Sequence, residues 1–268
     1  MKNLITLFGL VFILMVSCKD EKKNNQQSNT TQEYSAYIKQ LMEATEKHPD
    51  SVGLRFVLVN ALDSAGFYKE ALLQMDKLIS KDSLNSGFWY KKGSIQQNAK
   101  DTSGAMLSFK RSIKVYASVD ALLSLANLYA ETKNDSALLY TAAVERINPD
   151  RKFEADCIFI NGVYYARAGK TKEALELFDA CINASYTYMV AYMEKGFIYY
   201  DSKNYDEALK TFQLATKVTN TYADAYYWQG KCYEAKSDKQ NAILFYQKSL
   251  SLDKNIVEAE QAIERLSK

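Results

Sequence analysis

The chain has 268 residues, with 34 lysine or arginine residues against 32 aspartate or glutamate residues. This near balance of charge gives no electrostatic reason to expect a nucleic-acid partner. Hydrophobic residues make up 47% of the chain and charged residues 25%, proportions that are ordinary for a soluble globular protein.

The amino terminus has the layout of a secretory signal. Lys2 precedes an uncharged apolar run, LITLFGLVFILMVS, over residues 4–17. This run is shorter than the roughly 20 residues that a membrane-spanning helix needs. The sequence MVSC that ends at Cys18 resembles the lipobox of bacterial lipoproteins. The resemblance implies removal of a signal peptide at residues 1–17 and lipidation of Cys18. An ordinary cleaved signal followed by an unrelated cysteine is the alternative.

The residues that follow, up to residue 33, contain no aliphatic or aromatic side chain. Such a segment cannot bury a core, so residues 18–33 are expected to form a disordered tether. Its Lys19-Asp20-Glu21 run resembles a signal that carries lipoproteins to the outer face of the outer membrane in some bacterial lineages. A simple solvated charge run is the alternative. These patterns predict an outer membrane lipoprotein, exposed at the cell surface or facing the periplasm, whose only membrane contact is the lipid.

A repeat of 34 residues runs through the rest of the chain. When MVAYMEKGFIYY from Met189 is aligned with ADAYYWQGKCYE from Ala223, Gly196 falls on Gly230. This period and pattern resemble the tetratricopeptide repeat family. The resemblance implies an all-α, right-handed superhelical solenoid of about six helix-turn-helix repeats with helical caps.

The repeats place the domain boundaries. They are expected to start near residues 52, 86, 119, 155, 189 and 223 and to end at residue 256. Residues 34–51 read as an amino-terminal capping helix and residues 257–268 as a charged carboxyl-terminal one. A solenoid needs such polar caps because its end repeats have no neighbour. The third repeat lacks one residue in its internal turn and carries extra residues near Arg151.

Small residues recur at fixed places in the repeats, where two helix backbones are expected to approach each other. On the first helices they are Gly93, Gly162, Gly196 and Gly230. On the second helices they are Ala71, Ala105, Ala174, Ala208 and Ala242. Large side chains in those places should destabilise the fold by overpacking.

In the family, set positions of the first helices line a concave groove. Carried over to this chain, the amino-terminal groove positions are Asn60, Asp63, Tyr90, Lys91, Gln97, Asn98 and Asn127. The carboxyl-terminal ones are Phe159, Ile160, Arg167, Met193, Phe197, Tyr200, Tyr227, Trp228 and Lys231. The resemblance therefore implies a groove that is polar in its first half and aromatic in its second half.

No residue pattern indicates chemistry, and neither a cofactor nor a metal site is predicted. His48 is the only histidine and precedes Pro49 in an expected turn, which does not suit a metal site or a catalytic triad. Cys157 and Cys181 lie in one predicted hairpin, so a disulfide between them is one alternative and two buried free thiols the other.

The predicted function is that of a non-enzymatic, membrane-anchored scaffold that binds a protein or peptide in the groove. Exposed aromatic rings suit a peptide because they give large contact area with little rotamer entropy. Such a scaffold would support an envelope or cell-surface complex. A carbohydrate-binding surface lipoprotein is the alternative, because sugars are also bound by aromatic platforms.

Overall fold

The structure is a computed structural model, and it describes residues 33–268. The regular elements in this part of the chain are fourteen α-helices. They are α1 Ala36–Lys47, α2 Val52–Ser64, α3 Tyr68–Lys81, α4 Ser86–Asn98, α5 Thr102–Val115, α6 Val119–Glu131, α7 Ser136–Ile147, α8 Glu154–Arg167, α9 Thr171–Ala184, α10 Met189–Asp201, α11 Tyr205–Val218, α12 Ala223–Ala235, α13 Lys239–Leu252 and α14 Val257–Ser267. The predicted all-α class is confirmed, whereas the predicted signal peptide and Cys18 lie outside the described residues.

Helices α2 to α13 form six consecutive hairpins. The second helix of each hairpin packs against the first helix of the next one. At the two ends, α1 packs on α2 and α14 packs on α13. The first helices begin at Val52, Ser86, Val119, Glu154, Met189 and Ala223. The result is a solenoid of hairpins with one additional helix at each end, in which each hairpin mainly contacts its neighbours.

The turn inside each hairpin contains one residue in the left-handed backbone region. These residues are Gly66, Lys100, Lys133, Gly169, Lys203 and Ser237, with φ values from 59° to 80°. In the fifth hairpin, the Lys203 N–H donates to the Tyr200 carbonyl and the Asn204 N–H to the Tyr199 carbonyl, both at 2.9 Å. This pair of hydrogen bonds forms a Schellman motif, which satisfies carbonyls at the end of a helix. Repetition of one turn conformation gives successive hairpins a similar shape.

Four hairpins place a glycine of the first helix directly against an aromatic ring of the second helix. The pairs are Gly93 with Phe109, Gly162 with Phe178, Gly196 with Phe212, and Gly230 with Tyr246. A Cβ atom added to these glycines would lie 2.3 to 2.8 Å from the nearest ring carbon. The alanines that recur in the second helices are fully buried as well, namely Ala71, Ala105, Ala174, Ala208 and Ala242. The glycines thus make room for an aromatic ring of the second helix.

The third hairpin departs from the others. Its second helix, α7, has 12 residues, whereas the second helices of the other five hairpins have 14. Residues 148–153 then join α7 to α8, a longer connection than at the other junctions. Here α8 packs on α6 as well as on α7. The irregular spacing in the sequence therefore corresponds to a local change in how neighbouring hairpins meet.

Candidate partner-binding face

The predicted groove positions of neighbouring hairpins lie side by side. The Lys91 ammonium of α4 contacts the Asp63 carboxylate of α2, and the Phe197 ring of α10 contacts the Trp228 ring of α12. We call the surface built from α2, α4, α6, α8, α10 and α12 the first-helix face. Side chains of this face thus touch between α2 and α4 and between α10 and α12, so neighbouring hairpins contribute to one candidate site.

The amino-terminal part of this face is polar and its charges are paired. The Lys91 ammonium lies 2.8 Å from one oxygen of Asp63, and the Asn98 amide donates to the other oxygen at 3.0 Å. Asn60 is exposed and Asn127 is half-buried. Since the one lysine here is neutralised by Asp63, this part of the face offers mainly amide groups to a partner.

A single arginine connects three first helices at the centre of the face. The Arg167 guanidinium of α8 donates to the Glu131 carboxylate of α6 at 2.8 Å and to the Glu194 carboxylate of α10 at 2.9 Å. Hydrogen bonds to Glu194, and then to Glu131, raise the pKa of Arg167 above its ordinary value. Bidentate pairs of this kind fix geometry as well as charge. Arg167, which the repeat pattern places at a groove position, is therefore already engaged by two carboxylates of the protein.

The carboxyl-terminal part of the face carries a cluster of half-buried rings. The Trp228 ring lies 5.2 Å from the Tyr200 ring and 5.8 Å from the Tyr227 ring, edge to face in both pairs. The Lys231 ammonium lies 5.9 Å from the Tyr200 ring centre. We call Tyr200, Tyr227, Trp228 and Lys231 the aromatic platform. Burial is the main reason why the pKa of Tyr200 is raised to about 12.

Trp228 both packs within the protein and presents a donor to solvent. Its ring contacts Phe197 at 4.7 Å and stacks on Phe212 at 5.9 Å. Among the described residues every buried side-chain nitrogen or oxygen has a hydrogen-bond partner, and none accepts from the Trp228 indole. The indole N–H must therefore reach solvent, where it is free to donate to a ligand.

Three of the predicted groove residues are oriented into the protein. Ile160 and Met193 are each 5% exposed and belong to the hydrophobic core, so their assignment to the groove surface is wrong. Phe159 is half-buried, with its ring 5.8 Å from Phe178 and 5.2 Å from Tyr188. The wider apolar stripe of α8 and α10 explains the error, because these helices pack on neighbours from both sides.

Sequence reasoning also missed residues that shape the face. Glu131 and Glu194 hold Arg167, but they lie 36 and 27 residues away from it in the chain. The Tyr246 hydroxyl donates to Glu234 at 2.6 Å, and Arg265 of α14 pairs with the same carboxylate. Opposite charges at groove positions of successive repeats are the signal that would have indicated these contacts.

The three cysteines of the described residues are free thiols. The Cys157 thiol faces the Thr141 carbonyl of α7 at 3.7 Å, whereas the Cys181 thiol faces the Ala155 carbonyl at 3.4 Å. The two sulfurs thus point to different partners, and the disulfide alternative is not adopted. Burial raises the pKa of Cys157, Cys181 and Cys232 to about 12.

Thiol labelling checks this arrangement. Because the three thiols are buried and protonated, a disulfide reagent used near pH 8 is expected to leave them unmodified in the folded protein and to label them after denaturation. A Ser83→Cys variant, whose new thiol would lie on an exposed loop, supplies the positive control. Rapid labelling of the folded wild type would contradict the buried placement.

Within residues 33–268, no group of three or more histidine, cysteine, aspartate or glutamate side chains is arranged to hold a metal ion. None of the helices α1 to α14 has both the length and the apolar character needed to cross a bilayer.

Comparison with sequence models of protein families identifies the carboxyl-terminal hairpins. A model described as TPR repeat matches residues 196–237, and a model described as tetratricopeptide repeat matches residues 223–256. No curated protein matches the chain. The two matches together span residues 196–256, which contain α11, α12 and α13 and all four residues of the aromatic platform.

Solved structures share the fold over most of the chain. A tetratricopeptide repeat protein from Parabacteroides merdae is 17% identical, with 86% of this chain and 91% of that one covered and a TM-score of 0.70. A thermophilic TPR protein from Thermus thermophilus is 15% identical, with coverages of 68% and 98% and a TM-score of 0.54. The C-terminal part of a TPR repeat-containing protein from Cytophaga hutchinsonii is 17% identical, with coverages of 74% and 78% and a TM-score of 0.51. The described chain thus has the fold of tetratricopeptide repeat solenoids, and residues 196–256 carry the sequence of that repeat.

Proposed function

We propose that the protein is a membrane-anchored tetratricopeptide scaffold that binds a protein or peptide partner on its first-helix face and supports a complex of the envelope or cell surface. The observation that carries this proposal is the aromatic platform. Three half-buried rings and one lysine from α10 and α12 lie in contact on this face. The neighbouring core residues, in contrast, are buried and are not accessible to a partner.

The composition of the platform suits an extended or helical peptide. Tyrosine and tryptophan supply large contact areas while few rotatable bonds are immobilised, and they are the residue types that dominate binding energy at interfaces. The Trp228 indole N–H is available to a backbone carbonyl of the partner. Lys231 adds a positive charge at the edge, where a partner carboxylate would pair with it.

The same geometry argues against the glycan alternative. A sugar site places aromatic rings beside clustered amide and carboxylate groups. In this chain, the cluster of Asp63 and Asn98 lies on α2 and α4, whereas the platform lies on α10 and α12. The carboxylate near the platform, Glu234, is already held by the Tyr246 hydroxyl and by Arg265. The platform therefore lacks a cluster of amide and carboxylate groups that is available to a sugar, and peptide binding is favoured.

Co-purification from native membranes tests the partner. Trp228→Ala is expected to lose a protein that is recovered with the wild type, because the substitution removes the central ring and donor of the platform. Trp89→Ala is the matched control, since Trp89 is the other tryptophan of the chain and its indole N–H donates to the Ser83 carbonyl of the adjoining loop. Circular dichroism would establish that both variants remain folded. Recovery of the same proteins with both variants, or of a glycan in place of a protein, would contradict the proposal.

The anchor is a separate part of the proposal and depends on Cys18. Cys18→Ala is expected to release the protein from membranes into the soluble exported fraction, because the lipid would no longer be attached. Fractionation followed by immunoblotting measures the change, and Cys232→Ala, the same substitution at a buried position, should stay with the membranes. Membrane retention of the Cys18 variant would refute the lipid anchor. Protease added to intact cells would then distinguish surface exposure, which the Lys19-Asp20-Glu21 run favours, from a periplasmic location.

A further inference from the structure

A second surface, formed mainly by the second helices α5 and α7, carries large apolar side chains in contact with solvent. Leu139 and Ile147 of α7 are 70% and 49% exposed. They are eight residues apart, so they lie on the same side of the helix about two turns from each other. The opposite side of α7, with Ala137, Thr141 and Val144, is the buried one. Helix α7 therefore has an apolar side that the solenoid does not cover.

These side chains border a cleft between α5, α6 and α7. The cavity has a volume of about 540 Å³, and its lining includes Ile113, Leu122, Tyr129, Leu139, Tyr140 and Ile147. The shortened α7 belongs to the hairpin with the irregular spacing, which accounts for a cleft at this place in the solenoid. We call it the α5–α7 cleft. A concave apolar surface of this kind accepts inserted side chains, which a flat surface does not.

The charges at the cleft are positive. Arg146 lines it, and the Lys110 ammonium of α5 lies 5.4 Å from the centre of the Tyr129 ring. Lys110 approaches the phenol oxygens of Tyr129 and Tyr140. No salt bridge among residues 33–268 joins Lys110 or Arg146 to a carboxylate. The adjacent Glu145 lines a different cavity, between α7 and α8. One cation in the lining of the cleft and one beside a lining ring are thus without a carboxylate partner among residues 33–268.

We propose that the α5–α7 cleft binds an amphipathic helix of a partner protein, with leucine-like side chains on one side of the helix and carboxylates beside them. The apolar side chains would enter between α5 and α7, and the carboxylates would pair with Lys110 and Arg146. Recognition of a helix in an apolar groove uses such anchors spaced by one helical turn. This surface is independent of the aromatic platform, so the scaffold would hold two partners, or two parts of one partner, at once.

Binding of designed peptides to the full chain tests the proposal. The probe is an amphipathic peptide of about 18 residues, long enough to form a helix, with leucine on one side and glutamate beside it. A second peptide has lysine in place of glutamate. Both would be titrated against the full chain, purified in mild detergent and immobilised, and a detergent-only surface would be subtracted. The wild type should bind the acidic peptide at least about tenfold more tightly than the basic one.

Two variants locate the binding. Leu139→Glu is expected to weaken the acidic peptide about tenfold or more, because it removes an apolar contact and adds a repulsive charge. Leu107→Glu makes the same change at a similarly exposed position of α5 outside the cleft lining, and should leave the affinity within about twofold. Arg146→Glu should reverse the preference toward the basic peptide. Three results would overturn the proposal. The first is equal binding of the two peptides, and the second is equal affinity of the Leu139 and Leu107 variants for the acidic peptide. The third is a protein dimer that dissociates in Leu139→Glu. The last result would assign the cleft to a second copy of the chain.

Discussion

Phe212→Ala is expected to lower the free energy of unfolding by about 3 to 5 kcal/mol, the largest effect that we anticipate for a single substitution. The Phe212 side chain is fully buried, with its ring against Gly196 and 5.9 Å from both the Phe197 ring and the Trp228 ring. Truncation would leave a cavity at the point where α10, α11 and α12 meet. Because Trp228 stacks on this ring, the aromatic platform would also lose its support.

Chemical denaturation followed by circular dichroism measures this effect. Leu214→Ala on the same helix is the control, because Leu214 is 45% exposed and its truncation should cost far less. The carboxyl-terminal hairpins should unfold first in the Phe212 variant, since repeats contact mainly their neighbours. A loss below about 1 kcal/mol would contradict the packing of this ring.

Gly196→Ala is expected to lower the free energy of unfolding by about 1 to 3 kcal/mol, although alanine is the better helix former. The new Cβ would lie 2.3 Å from a ring carbon of Phe212, so the ring and its neighbours would have to move. Gly53→Ala is the matched control. Gly53 also lies in a first helix, but no atom lies within 4 Å of the added Cβ, so the same substitution should be neutral or stabilising.

A double variant tests whether the loss comes from this one contact. Phe212→Leu removes ring atoms that would meet the alanine at position 196. The two substitutions together should therefore cost less than the sum of their separate effects, as expected for residues in direct contact. Equal destabilisation by Gly196→Ala and Gly53→Ala would show that the ring is not closely packed on Gly196.

Much of the architecture follows from the sequence because the repeat period is a local property. The spacing of Gly196 and Gly230 predicts where first helices begin, and the α12 helix starts at Ala223, where the period places it. The reason for the glycines was only partly anticipated. A repeat alignment shows that a small residue is needed, but only the packing shows that it accommodates the ring of the second helix.

The candidate site was harder to predict from the sequence than the fold, because the side chains of different hairpins that contact each other are far apart in the chain. Arg167 occupies a groove position, yet Glu131 and Glu194 from two other hairpins bind it. Met193 also occupies a groove position, but it is buried in the hydrophobic core. The repeat pattern thus locates the first-helix face. Charge pairing and packing within the protein determine which residues of this face remain available to contact a partner.

Site-specific photo-crosslinking in native membranes tests the central claim, which is that a partner protein contacts the first-helix face. In one variant, a photoreactive residue would replace Lys231 at the edge of the aromatic platform. In a second variant, it would replace Leu214, which is exposed on the second helix α11. We predict a crosslinked product that forms from position 231 and is absent from position 214. This product should disappear when Trp228→Ala is added. A product that forms only from position 214, or that persists in the Trp228→Ala background, would contradict the account.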